Sequence, residues 1–103
     1  MPPPARSVRL ADPAALVLSS LAAGPKHGYA ITKDVRELAG LRLRPGTLYG
    51  TIARLEEGGW IRRLESDGRR HPYEITDSGR SRLLVECAAL QRLVGALVAR
   101  AEA

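Results

Sequence analysis

The stretch from Arg42 to Gly59 constrains this chain more than any other. Pro45 suits the first turn of a helix, where a missing N–H leaves no partner unsatisfied. Leu48, Ile52 and Leu55 recur at helical spacing and make a narrow stripe for a core. Gly58 and Gly59 supply the stop, because glycine tolerates the left-handed conformation that helix ends often need. Thr47, Gly50, Arg54 and Glu57 then point away from the stripe, with Tyr49 and Thr51 on its flanks. These outward residues are small, hydroxylated or guanidinium-bearing. Such a face can enter a DNA groove and meet phosphates and base edges.

The flanking segments say what carries that helix. Asp12-Pro13 reads as an N-cap acid followed by proline at the first helical position. Leu16, Val17 and Leu21 make this first helix mostly buried, and Gly24-Pro25 closes it. His27-Gly28 opens a second helix, from Tyr29 to about Ala39. Ile31, Val35 and Leu38 are expected inside, and Lys33, Asp34, Arg36 and Glu37 on the solvated face. Gly40 ends it. Beyond Gly59 the period changes. Residues 60–65 suit a strand, Ser66-Asp67-Gly68 a turn, and residues 69–75 a returning strand. The hairpin tip carries Arg69 and Arg70. Three helices followed by a basic hairpin predict a winged helix-turn-helix, mostly α with one small β-hairpin. Its third helix would lie in the major groove.

Thr76 and Asp77 resemble a helix cap and a dipole-complementing acid. From there the chain reads as one helix towards Ala101. Leu83, Cys87, Leu90, Val94, Leu97 and Ala101 alternate steps of four and three, a heptad seam. Leu84, Leu93 and Val98 widen it. That is more apolar surface than one small domain covers, so this seam is expected to pair two chains, the alternative being a helix folded back on its own core. The organisation expected is a flexible arm over 1–11, a winged helix-turn-helix over 12–76 and a dimerisation helix over 77–103.

With 103 residues the chain fits a single domain whose own core is modest. Lysine and arginine number 16 against 11 aspartates and glutamates, a net charge of +5 that favours a polyanionic partner. Between residues 42 and 71, seven arginines stand against four acids. The one cysteine, Cys87, forbids an intrachain disulfide and fits a reducing interior. With His27 and His71 it makes no metal spacing. There is no phosphate loop, no nucleophile with a base at motif spacing and no paired metal ligands, so neither an enzyme nor a cofactor is expected. Met1 to Arg9 lacks the apolar core of a signal peptide, and no run reaches the roughly 20 apolar residues of a membrane span. A cytoplasmic protein away from the membrane is the expectation.

An ordered series of motifs resembles the PadR family of bacterial transcriptional regulators. It comprises Gly24-Pro25-Lys26-His27-Gly28-Tyr29, Pro45-Gly46-Thr47-Leu48-Tyr49, Arg54-Leu55-Glu56, Gly59-Trp60-Ile61 and Tyr73 to Arg80, and the resemblance extends from about Asp12 to the chain end. It implies a winged-helix repressor that dimerises through its C-terminal helix and binds an inverted-repeat operator. The short C-terminal part resembles the smaller branch of the family. Two positions depart from the family pattern. Arg44 stands where a serine often precedes Pro-Gly-Thr-Leu-Tyr, and Gly50 stands where proline often follows the tyrosine. Some small family members bind aromatic drugs between dimer helices with a tryptophan, and this terminal helix has no aromatic residue.

The expected DNA-binding residues are Arg44, Thr47, Tyr49, Thr51, Arg54, Arg69 and Arg70. Of Arg62 and Arg63, which a regular strand points to opposite faces, at most one would join them. The expected partners are double-stranded DNA and a second copy, with a small-molecule effector left open. Two rival readings stand beside a homodimeric sequence-specific repressor. One is a winged-helix protein-interaction module, and the other is a sensor using the dimer interface.

Overall fold

A computed structural model describes residues 12–66, 68 and 70–103. The expected arm over 1–11 and Arg69 lie outside the described residues. The order is α1 (Pro13–Ala22), α2 (Gly28–Ala39), α3 (Pro45–Glu57), β1 (Ile61–Arg63), β2 (Tyr73–Ile75) and α4 (Asp77–Glu102).

Local chemistry sets the boundaries. The Asp12 carboxylate accepts from the Ala15 amide at 2.8 Å and caps α1. Gly40 ends α2 with φ +66°, the left-handed conformation that suits glycine. Arg44 caps α3 without a side-chain hydrogen bond, and Pro45 takes the first turn. The core joins Leu16, Val17, Leu18 and Leu21 of α1 to Ile31, Val35, Leu48, Ile52, Leu55, Ile61 and Tyr73. Thus α1 is the post against which the helix-turn-helix and the hairpin both pack.

One core assignment fails. Leu38 is 61% exposed. The inward position one turn after Val35 is Ala39, which packs on the core and leaves Leu38 outside.

The strands are shorter than expected, three residues each, and antiparallel with Ile61 opposite Ile75 and Arg62 opposite Glu74. A feature without a sequence signal extends the sheet. Lys26, in the α1–α2 link, pairs with Tyr73 through Lys26 N–H to Tyr73 O at 3.2 Å and the reverse bond at 3.0 Å. The hairpin root is therefore tied to the start of α2.

A second junction joins α3, the hairpin and α4. Trp60 packs against the core, with the Arg82 guanidinium 4.2 Å over its ring. Thr76 Oγ1 accepts from the Gly79 amide at 3.1 Å and donates to the Gly59 carbonyl at 2.7 Å. One hydroxyl thus caps α4 and anchors it to the end of α3. We expect Thr76→Ala to cost about 1–2 kcal/mol, read as a lower denaturant midpoint at unchanged slope.

The first turns of α4 belong to the head, with Leu83 packed on the core and Arg80 donating to the Ala22 carbonyl at 3.3 Å. The rest projects. At 26 residues α4 is about 39 Å long, and its apolar residues Leu84, Leu93, Val94, Leu97 and Val98 are all at least two-fifths exposed.

Candidate nucleic-acid interface

The face of α3 opposite the core is open. Leu48, Ile52 and Leu55 are buried, while Thr47, Ala53, Arg54 and Glu57 are exposed. Gly46 and Gly50 lie along the same helix. A Cβ built on Gly46 would meet nothing within 4 Å, and one on Gly50 would meet only the tip of Arg54, at 3.7 Å. The backbone of the first two turns is therefore bare and can approach another surface closely. Arg44 stands exposed at the head of the helix.

Thr51 does not belong to this face. It is 1% exposed, and its hydroxyl takes a hydrogen bond from Arg54 Nη2 at 3.3 Å. Its neighbours one turn on and one residue on, Leu55 and Ile52, are core, so position 51 turns inward with them. Thr51 is corrected from a surface residue to a buried one that steadies Arg54.

Tyr49 is 54% exposed and leans across the start of α2. A Cβ on Gly28 would come within 2.7 Å of the Tyr49 hydroxyl, so glycine there is what lets the ring lie down. The same ring shares a cavity of about 420 Å³ with His27, Gly28, Tyr29 and Arg70. Arg70 is thereby brought to the helix-turn-helix although it lies more than 20 residues from Tyr49 in the chain. Its backbone is held where the Ser66 hydroxyl donates to the Arg70 carbonyl at 3.0 Å, while its side chain stays exposed.

The strand arginines have a different environment. Arg62 pairs with Glu74 across the hairpin, and Arg63 reaches Glu56 at 3.4 Å. Both charges are already matched by a carboxylate. His71 Nδ1 sits 3.1 Å from the Leu64 carbonyl at the hairpin neck.

Of the expected dimerisation residues, Leu83 is packed on the core of its own chain, which removes it from a free seam. Cys87, Val94, Leu97 and Ala101 are exposed and Leu90 is partly covered. Among the described residues no helix is long and apolar enough to cross a membrane, and no cluster of three or more His, Cys, Asp or Glu could hold a metal ion.

Residues that were not among the expected DNA-binding set border the α3 face. Tyr29, Thr32 and Arg42 line a cavity of about 250 Å³ with Pro45, Leu48 and Tyr49. Their signals were Arg42, one of seven arginines in a basic segment, and Tyr29, the last residue of the motif over 24–29, neither of which pointed to a DNA contact.

Comparison with known proteins places this architecture. The transcriptional regulator PadR-like family matches residues 17–84. The transcriptional regulator Rv3488 of Mycobacterium tuberculosis is 36% identical over 80 residues, spanning 75% of this chain and 74% of that protein. An uncharacterised 37.1 kDa protein in a transposon of Streptomyces fradiae is 46% identical over 88 residues, which is 85% of this chain but only 26% of that protein. The crystal structure of a PadR family transcriptional regulator from Eggerthella lenta superposes with a TM-score of 0.76 at 30% identity, covering 86% of this chain and 80% of that one. The winged helix-turn-helix, the family match along two-thirds of the chain and these relatives agree: the chain belongs to the PadR-like family of transcriptional regulators, a family of regulators and not of enzymes.

Proposed function

We propose that the chain is a homodimeric, sequence-specific DNA-binding regulator that represses by occupying an inverted-repeat operator. The observation that carries this reading is the open face of α3. Thr47, Arg54 and bare glycine backbone are presented outward, with Arg44 and Arg70 at its borders. Thr47 and Arg54 serve base edges, since a guanidinium can bond guanine in two places and a threonine can offer a hydroxyl or a methyl. Arg44, Tyr49 and Arg70 serve phosphates, which set register without reading sequence. The hairpin tip, to which Arg69 also belongs in the sequence, lies along the neighbouring backbone.

Two heads are needed for an inverted repeat, and the projecting apolar face of α4 supports their pairing. Leu90, Leu93, Val94, Leu97, Val98 and Ala101 form that face, with Cys87 as a small apolar member. Two α3 helices held about 34 Å apart would read half-sites one turn apart.

Selection of bound fragments from genomic DNA tests this. A two-fold symmetric motif with half-site centres about 10 base pairs apart is expected among the retained fragments. Retention without any shared motif would contradict sequence-specific binding and leave backbone contact alone, whereas no retention of DNA at all would favour a protein-docking role for the same surfaces.

A further inference from the structure

Among the described residues some cations are met by a carboxylate and others are not. Arg62, Arg63 and Arg82 are each paired with a carboxylate. Lys33 and Arg36 of α2 and Arg42 of the following turn form no ion pair among the described residues, and all three are exposed. Asp34, beside Lys33 in the chain, turns instead to Lys26 at 3.9 Å.

Lys33, Arg36 and Arg42 lie together. A cavity of about 210 Å³ is lined by Tyr29, Thr32, Lys33, Arg36 and Arg42. It shares Tyr29, Thr32 and Arg42 with the cavity beside Pro45, which in turn shares Tyr29 and Tyr49 with the cavity at Arg70. The three form one trough along the α2 edge of the head, from the hairpin to the far end of α2. Four cations line it and no carboxylate does, among the described residues. Tyr29, 72% exposed, stands at its centre, and its hydroxyl has no hydrogen-bond partner among the described residues.

We infer that this trough takes the sugar–phosphate backbone of a DNA strand, with Lys33, Arg36 and Arg42 binding phosphates beyond the reach of α3 and the hairpin. The inference rests on the DNA-binding reading and enlarges its footprint. A row of unpaired cations and hydroxyl donors matches a row of evenly spaced anions, and guanidinium groups suit phosphate oxygens. The contact is to backbone, so it adds affinity on every sequence and no preference among them.

Fluorescence anisotropy on a mixed-sequence duplex of about 30 base pairs, repeated across a salt series, tests it. Four proteins are compared: the unaltered chain, Arg36→Ala with Arg42→Ala, Tyr29→Phe, and Arg92→Ala with Arg100→Ala. The last pair removes the same charge from α4, away from the trough. The trough pair is expected to bind at least about tenfold more weakly and to flatten the salt slope by about 1.8 for each bound protomer, since each lost phosphate contact removes about 0.9. Tyr29→Phe is expected to weaken binding at an unchanged slope, and the α4 pair to change both far less. Equal losses in the two arginine pairs would reduce the effect to net charge and overturn the trough. An unchanged slope in the trough pair would overturn it while leaving DNA binding by α3 intact. Absence of salt-dependent binding by the unaltered chain would instead defeat the DNA-binding reading, and the trough with it.

Discussion

Gly79→Ala is expected to lower the melting temperature by about 10–20 °C. A Cβ at this position would fall inside contact distance of the Trp60 carbonyl oxygen and 2.8 Å from Ile75 Cγ1. The obstacle is mostly backbone, and backbone cannot swing aside as a flexible side chain can. Overpacking of this kind costs roughly 1–3 kcal/mol. The displaced carbonyl also accepts the Thr76 amide at 3.0 Å, so relieving the clash breaks a hydrogen bond worth about 1 kcal/mol. The same substitution at Gly95 should do the opposite. Nothing lies within 4 Å of a Cβ there, and alanine in a helix interior gains about 1 kcal/mol over glycine. Thermal unfolding of the two variants in parallel checks both signs. A Gly79→Ala melting point within about 2 °C of the unaltered chain would mean that the α4 root is not seated on Trp60 as described.

Leu93→Glu combined with Leu97→Glu is expected to leave each head folded and to abolish pairing. The two leucines are 42% and 47% exposed in the single chain, so a partner has about half of each left to cover. That remainder is worth roughly 1 kcal/mol per side chain. Two-fold symmetry repeats each loss in both chains, giving four copies and roughly 4 kcal/mol before any carboxylate is desolvated. Association should weaken at least about 1,000-fold, and operator binding should fall with it, because each head then binds a half-site alone. Helical content and the melting of the head should persist, since neither leucine belongs to the core. Light scattering and anisotropy on the same samples separate the effects. Unchanged operator affinity in a protein shown to be monomeric would contradict the paired-head account.

Much of this fold was legible because its signals are local. Asp12-Pro13, Pro45 and Thr76-Asp77 mark helix starts through atoms within four residues of one another, and the structure begins its helices there. The α3 stripe was legible because a short helix against a core leaves little choice of face. Thr51 misled because a hydroxyl suggests solvent, whereas this one is satisfied from within by Arg54. Leu38 misled because helical spacing allows either 38 or 39 to follow Val35 inward, and only the packed head decides. The Lys26–Tyr73 pairing and the trough were illegible for a different reason. Each joins segments separated by 20 residues or more, or depends on which cations find a carboxylate, and neither leaves a periodic mark in the chain.

Two reading heads held by paired α4 helices should engage one duplex together. Sedimentation equilibrium of the unaltered protein with its selected fragment measures that directly. A single complex containing two chains per duplex, formed without a stable one-chain species, is expected. A complex holding one chain, with a second adding no affinity, would contradict it.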